Sequence, residues 1–229
     1  MISKPNAILG IEYIKALQKL SSNASVYLTK RVGAHHDSQT VSKCFASASY
    51  IRANIFDSKG FMPENVKLNN PPVYDKHFSD LILYKLSTMS NDELIALPNV
   101  AEGLHNLLSY NAKTASKYSE LLESVKSKRY TMARIKRICM CALLGITANE
   151  QKETPKYIHI LGVKKSAKQL LSYLSENATL PIIIKGTDSK DLEPEAKRLF
   201  DLDVTATNIY SLIAKTQRLS DYFSEFLIV

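Results

Sequence analysis

Apolar residues recur at intervals of three and four through much of this 229-residue chain, the spacing of amphipathic helices. Residues 7–17, Ala-Ile-Leu-Gly-Ile-Glu-Tyr-Ile-Lys-Ala-Leu, show it first, with Asn6 near the cap. The same spacing predicts helices over 78–87, 91–97, 101–110, 114–127, 132–144 and 167–175. Residues 194–215 read as helical with a break at 201–207. β-branched and aromatic runs predict short strands at 25–30, 157–162 and 181–185. Ser47 or Ser49 opens a helix that carries Ile51, Arg52 and Ile55. Residues 31–37 form a loop and 149–156 a polar break. Pro63, Pro71 and Pro72 make 61–74 an extended linker and the first candidate boundary. Strand, helix and strand over 157–185 suggest a small βαβ crossover near the C-terminus. The apolar residues 222–229 are expected to pack. The fold class expected is mainly α, a helical bundle with a small α/β part on either side.

Hydrophobic residues make up 45% of the chain, enough for a real core. The net charge of +8 and a sequence pI of about 9.2 favour a polyanionic partner. No apolar run reaches the roughly 18 residues that a membrane span needs. Met1-Ile-Ser-Lys-Pro5 carries no signal-peptide core. Cys44, Cys139 and Cys141 give no disulfide framework and no zinc spacing. They read as buried apolar residues in a reducing, cytoplasmic setting.

Charge is densest in Lys126-Ser-Lys-Arg-Tyr-Thr-Met-Ala-Arg-Ile-Lys-Arg137, where six of twelve residues are cationic. Thr131 is placed to cap the helix that follows. Tyr130 and Ile135 occupy the staple positions around that cap. Ile135, Ile138, Cys139, Ala142 and Leu143 line a face that can be buried. Lys126, Lys128, Arg129, Arg134, Lys136 and Arg137 are then candidate phosphate contacts on RNA. A solvated charged face is the alternative. Tyr110, Tyr118 and Tyr130 are stacking candidates or core residues.

Ser47-Ala-Ser-Tyr-Ile-Arg52 is a hydroxyl-rich turn at a helix start, a setting that can hold phosphate. An ordinary serine cap followed by a surface arginine is the other reading. This segment resembles the second signature of the HIGH-type nucleotidyltransferases. Residues 5–17 resemble one branch of them, the bacterial tRNA(Met) cytidine acetate ligases. Lys30-Arg-Val-Gly-Ala34, Ala101-Glu-Gly-Leu104, Lys128-Arg-Tyr-Thr131, Arg134-Ile-Lys-Arg137, Leu144-Gly-Ile146 and Tyr157-Ile-His-Ile-Leu-Gly162 match in the same order.

The resemblance implies activation of acetate by ATP, as substrate and with Mg, to acetyl-adenylate and pyrophosphate. Acetyl transfer to N4 of the wobble cytidine of elongator tRNA(Met) would follow. It places Asn6, Arg31, Ser47, Ser49 and Arg52 at nucleotide-contacting positions, with no catalytic residue and no metal ligand. Residues 1–62 would be the remnant of a Rossmann-like nucleotidyltransferase domain, 63–150 a helical tRNA-binding domain, and 151–229 a small α/β region. Two departures stand out. The family's His-x-Gly-His signature is missing, and Gly33-Ala-His-His36 has the wrong order to replace it. Tyr50 stands where the family has a small residue. The chain is therefore expected to be the C-terminal portion of such an enzyme, inactive without its N-terminal half. A non-catalytic RNA-binding module and a helical scaffold remain alternatives. His35, His36 and Asp37 lack the further ligands of a metal site. Glu102 and His105 could pair on a helix.

Overall fold

The computed structural model describes residues 5–30, 32–33, 38–42, 44–64, 66, 71–215, 220–223 and 225–229. The chain divides into two compact units, Met1–Asn69 and Asn70–Val229.

The first unit begins with α1 (Pro5–Lys19). Its Ile8, Leu9, Tyr13 and Ile14 are exposed. Residues 25–30 form no strand, and Val26, Tyr27 and Leu28 lie in solvent. β-propensity expresses itself only against a hydrogen-bonded neighbour, and none is present among the described residues. One isolated bridge, Ser42 to Phe45, is the β structure described in this unit. α2 (Ala48–Ala53) follows, with Ser47 as its N-cap.

In the second unit α3 (Ser79–Thr88), α4 (Asn91–Ala96), α5 (Leu104–Thr114), α6 (Tyr118–Val125) and α7 (Met132–Leu144) surround one core. Ile82, Leu86, Leu104, Leu121, Ile135 and Ile138 are fully buried there. Each such side chain contributes roughly 1.5–3 kcal/mol by leaving water. Ser90 and Glu93 form a capping box at the start of α4. α7 starts on Thr131, whose hydroxyl accepts from the Arg134 N–H at 3.4 Å. It stops at Gly145, whose φ of +75° suits a residue without Cβ.

Beyond it lie β1 (Ile158–His159), β2 (Gly162–Val163), α8 (Lys168–Asn177), β3 (Ile182–Ile183), α9 (Pro194–Ala214) and β4 (Leu227–Ile228). β1 pairs in parallel with β3, Ile158 opposite Ile182. β2 pairs in parallel with β4, Gly162 opposite Leu227. A second, small core joins Ile183, Phe200 and Val204. α9 serves both cores, because Ile209 and Ile213 further along it pack on the first.

The expected fold class is corrected on several points. The helices around the main core are short, six residues in α4 and eight in α6. Turn residues such as Leu97, Pro98 and Tyr130 close that core, so it is not a bundle of long facing helices. No α/β remnant occurs among the described residues of 1–62, and the later strands are two residues each, in two separate pairs. The predicted break at 201–207 is absent, because α9 is continuous for 21 residues. The tail packs only in part: Tyr222 meets Phe200 with ring centroids 5.4 Å apart, while Phe223, Leu227, Ile228 and Val229 are exposed. Cys44 is exposed, while Cys139 and Cys141 are buried. No helix among the described residues is long and apolar enough to cross a membrane.

Candidate functional site

The six predicted RNA contacts fall into two sets. Arg129 pairs with Glu102 at 2.5 Å, and Lys136 with Asp75 at 2.6 Å. Arg134 donates to the backbone carbonyl of Asn99 through Nε at 3.0 Å and Nη2 at 2.7 Å. Its guanidinium also lies over the Tyr130 ring, 5.3 Å from the centroid. These three cations are spent on the protein itself. Lys126, Lys128 and Arg137 are exposed and engage no acid or carbonyl among the described residues.

The same contacts explain the loop before α5. Asn99 and Glu102 adopt left-handed φ of 63° and 57°, followed by Gly103 at 81°. A non-glycine residue there costs of order 1 kcal/mol and persists when neighbours fix it. Arg134 fixes the Asn99 carbonyl, and the Tyr130 hydroxyl donates to the Glu102 carbonyl at 3.1 Å. Arg129 holds the Glu102 carboxyl below its usual range, chiefly through the hydrogen bond it donates. Glu102 therefore meets Arg129, not His105. Lys136 likewise holds the Asp75 carboxyl below its ordinary value, by donating to it. Of the stacking candidates, Tyr118 and Tyr130 are core and Tyr110 is exposed. The Tyr118 hydroxyl is buried and lies against the Cys139 thiol.

In the first unit Asn6 is exposed on the first turn of α1. Ser47 is buried: it accepts from the Tyr50 N–H at 3.0 Å and donates to the Ser38 carbonyl at 2.6 Å. It is committed to capping α2. Ser49 accepts a long 3.4 Å bond from Arg52 Nη2. Arg31, His35, His36 and Asp37 lie outside the described residues. No group of three His, Cys, Asp or Glu able to hold a metal occurs among the described residues.

Sequence reading missed Asn99, Glu102 and Asp75 as partners of the cations. It also missed a cleft of about 440 Å³ lined by Glu153, Lys156, Tyr157, His159 and Asp203, among others. The alternation of Tyr157 and His159 about Ile158 was its one visible signal.

The second unit has a short-helix core with a basic segment, and the first has a serine-capped turn ending in Ile-Arg, features in keeping with a nucleotidyltransferase-like chain. The family model described as HIGH Nucleotidyl Transferase matches residues 1–223, and the chain belongs to that family. It is 36% identical over 235 residues to the tRNA(Met) cytidine acetate ligase of Caldanaerobacter subterraneus subsp. tengcongensis, covering 95% of this chain and 58% of that one. Identity to the protein of the same name from Acetivibrio thermocellus is 30% over 249 residues, covering 99% and 60%. The crystal structure of Thermotoga maritima TmcAL (apo) superposes with a TM-score of 0.79 at 26% identity, over 99% of this chain and 61% of that one. The form bound with alpha-thio ATP gives 0.77 at 27% identity, over 99% and 60%. The chain thus spans about three fifths of the length of these relatives. The likeness covers residues of both units.

Proposed function

We propose that this chain works as part of an ATP-dependent tRNA(Met) cytidine acetate ligase. The enzyme would form acetyl-adenylate from acetate and ATP, taken with magnesium, and acetylate N4 of the wobble cytidine of elongator tRNA(Met). The observation that carries this reading is the likeness of fold over 99% of the chain to a TmcAL that binds alpha-thio ATP. Catalysis of this kind is chiefly positioning and charge neutralisation around phosphate. Asn6, Arg31, Ser49 and Arg52 are assigned to the nucleotide, with Ser47 shaping the turn that carries Ser49. Because 229 residues cover about three fifths of the relatives and contain no His-x-Gly-His, adenylate formation is assigned to the whole enzyme.

For this chain itself the reading is tRNA binding. Lys126, Lys128 and Arg137 are the phosphate contacts. Arg129, Arg134 and Lys136 support the segment from the protein side. The test is a tRNA titration of wild type and the Lys126→Ala/Lys128→Ala/Arg137→Ala variant at two salt concentrations. Three lost contacts should flatten the log–log salt slope by roughly 2 to 3. Equal slopes, or no tRNA binding by wild type, overturn the reading. Binding of tRNA without an ATP-dependent thermal shift favours the non-catalytic RNA-binding alternative.

A further inference from the structure

Tyr157 lies just before β1 and His159 within it, two residues apart, and both side chains turn to the same neighbour. Both rings meet the buried Phe200 edge-on, with centroids 6.0 and 5.8 Å away. Beyond these rings opens the 440 Å³ cleft, in the size range of small-molecule sites. Leu199 and Leu202 of α9 give it an apolar wall. Asp203 lies at its edge and accepts from the Tyr157 hydroxyl. That bond occupies one carboxylate oxygen and leaves the other as an acceptor. Burial, and then the bond to Asp203, raise the Tyr157 hydroxyl above its ordinary range, so it stays a donor at neutral pH. Lys156 lies at the rim, paired with Glu195 at 2.9 Å.

We propose that this cleft receives one unstacked RNA base bearing an exocyclic amine (cytosine, adenine or guanine, as against uracil), with its face on the Tyr157 and His159 rings and its amine on Asp203. The assignment rests on the RNA-binding reading above. Single-stranded RNA is recognised by stacking splayed bases on aromatic rings and bonding their edges. An ionised carboxylate only accepts, so it takes the exocyclic amine of cytosine (N4), adenine (N6) or guanine (N2). Uracil has no amine and offers only a ring N3–H held between two carbonyls, so it binds less well. The basic segment reads backbone charge and cannot choose among bases; this cleft can.

The test follows the His159 and Tyr157 ring signals by NMR during titration with oligocytidylate, oligoadenylate and oligouridylate of equal length. Cytidine and adenosine oligomers should shift both rings and bind roughly five- to tenfold tighter than the uridine oligomer. Asp203→Asn, at an exposed position, should bring the three within about twofold while the salt slope for tRNA stays unchanged. A second arm uses cytidine and adenosine monophosphates. If they match the oligomers in affinity, the cleft is a mononucleotide site and the RNA assignment fails. Equal shifts from uridine, or unmoved rings while tRNA still binds, overturn the proposal alone. Absence of tRNA binding overturns it together with the reading it rests on.

Discussion

The guanidinium of Arg134 grips the backbone carbonyl of Asn99 with two hydrogen bonds, 3.0 and 2.7 Å long. An arginine in the most cationic stretch of the chain thus fastens a left-handed turn. Arg134→Ala should cost about 1.5–3 kcal/mol, the scale of hydrogen bonds to a charged group. Arg134→Lys should recover only part of it, because an ammonium cannot fork. Urea unfolding checks both, and an unchanged midpoint for Arg134→Ala would refute the clamp. A loss of tRNA binding in that variant therefore reports on the turn as much as on the lost charge.

Glu102 holds Arg129 at 2.5 Å, and on the proposed tRNA-binding reading it competes with phosphate for that cation. Glu102→Gln should release that cation, tighten tRNA binding and steepen the salt slope by roughly 0.7–0.9, one phosphate contact. Adding Arg129→Ala should cancel the gain. Stability should move little, since an exposed pair contributes about 0–1 kcal/mol. Weaker binding by Glu102→Gln in the same titration would show that the acid serves the interface.

Asp75 and Lys136 give a pH dependence with a definite sign. The folded-state value of Asp75 lies below its ordinary 3.8, because Lys136 donates to it. Its contribution is complete above 3.8 and is lost as pH falls through the lower folded value. Acid melts of wild type and Asp75→Asn should therefore converge as pH drops into that window and differ above it. A constant difference at all pH values would exclude the pair as the cause.

Burial pushes the Cys139 thiol up to about 12. Burial raises Cys141 as well. Alkylation of the native protein near neutral pH should modify the exposed Cys44 and spare the other two until denaturant is added. Mass spectrometry of labelled peptides reads the order, and early modification of Cys139 would contradict its packing.

Local features were legible because they depend on neighbours in sequence. Thr131 as a cap and the buried face of α7 follow from spacing alone. Pairings between distant segments were not. Lys136 and Asp75, or Arg134 and Asn99, share no sequence pattern, so cations that looked free proved half committed. Residues 25–30 have β-propensity without a partner. Asp201, Asp203, Thr205 and Thr207 read as helix breakers because such residues compete for the backbone. In α9 their side chains are occupied elsewhere: Asp201 by Lys197, Asp203 by Tyr157, Thr207 by Asp221 at 2.7 Å. Thr205 bonds back to the Asp201 carbonyl at 2.8 Å, and the helix runs on.

At about 1.5 Å per residue, the 21 residues of α9 extend over about 31 Å. Phe200 and Val204 belong to one cluster, Ile209 and Ile213 to the other. Both clusters draw part of their wall from this single rod. A proteolytic nick at its midpoint should therefore loosen both together, and the two should melt in one transition.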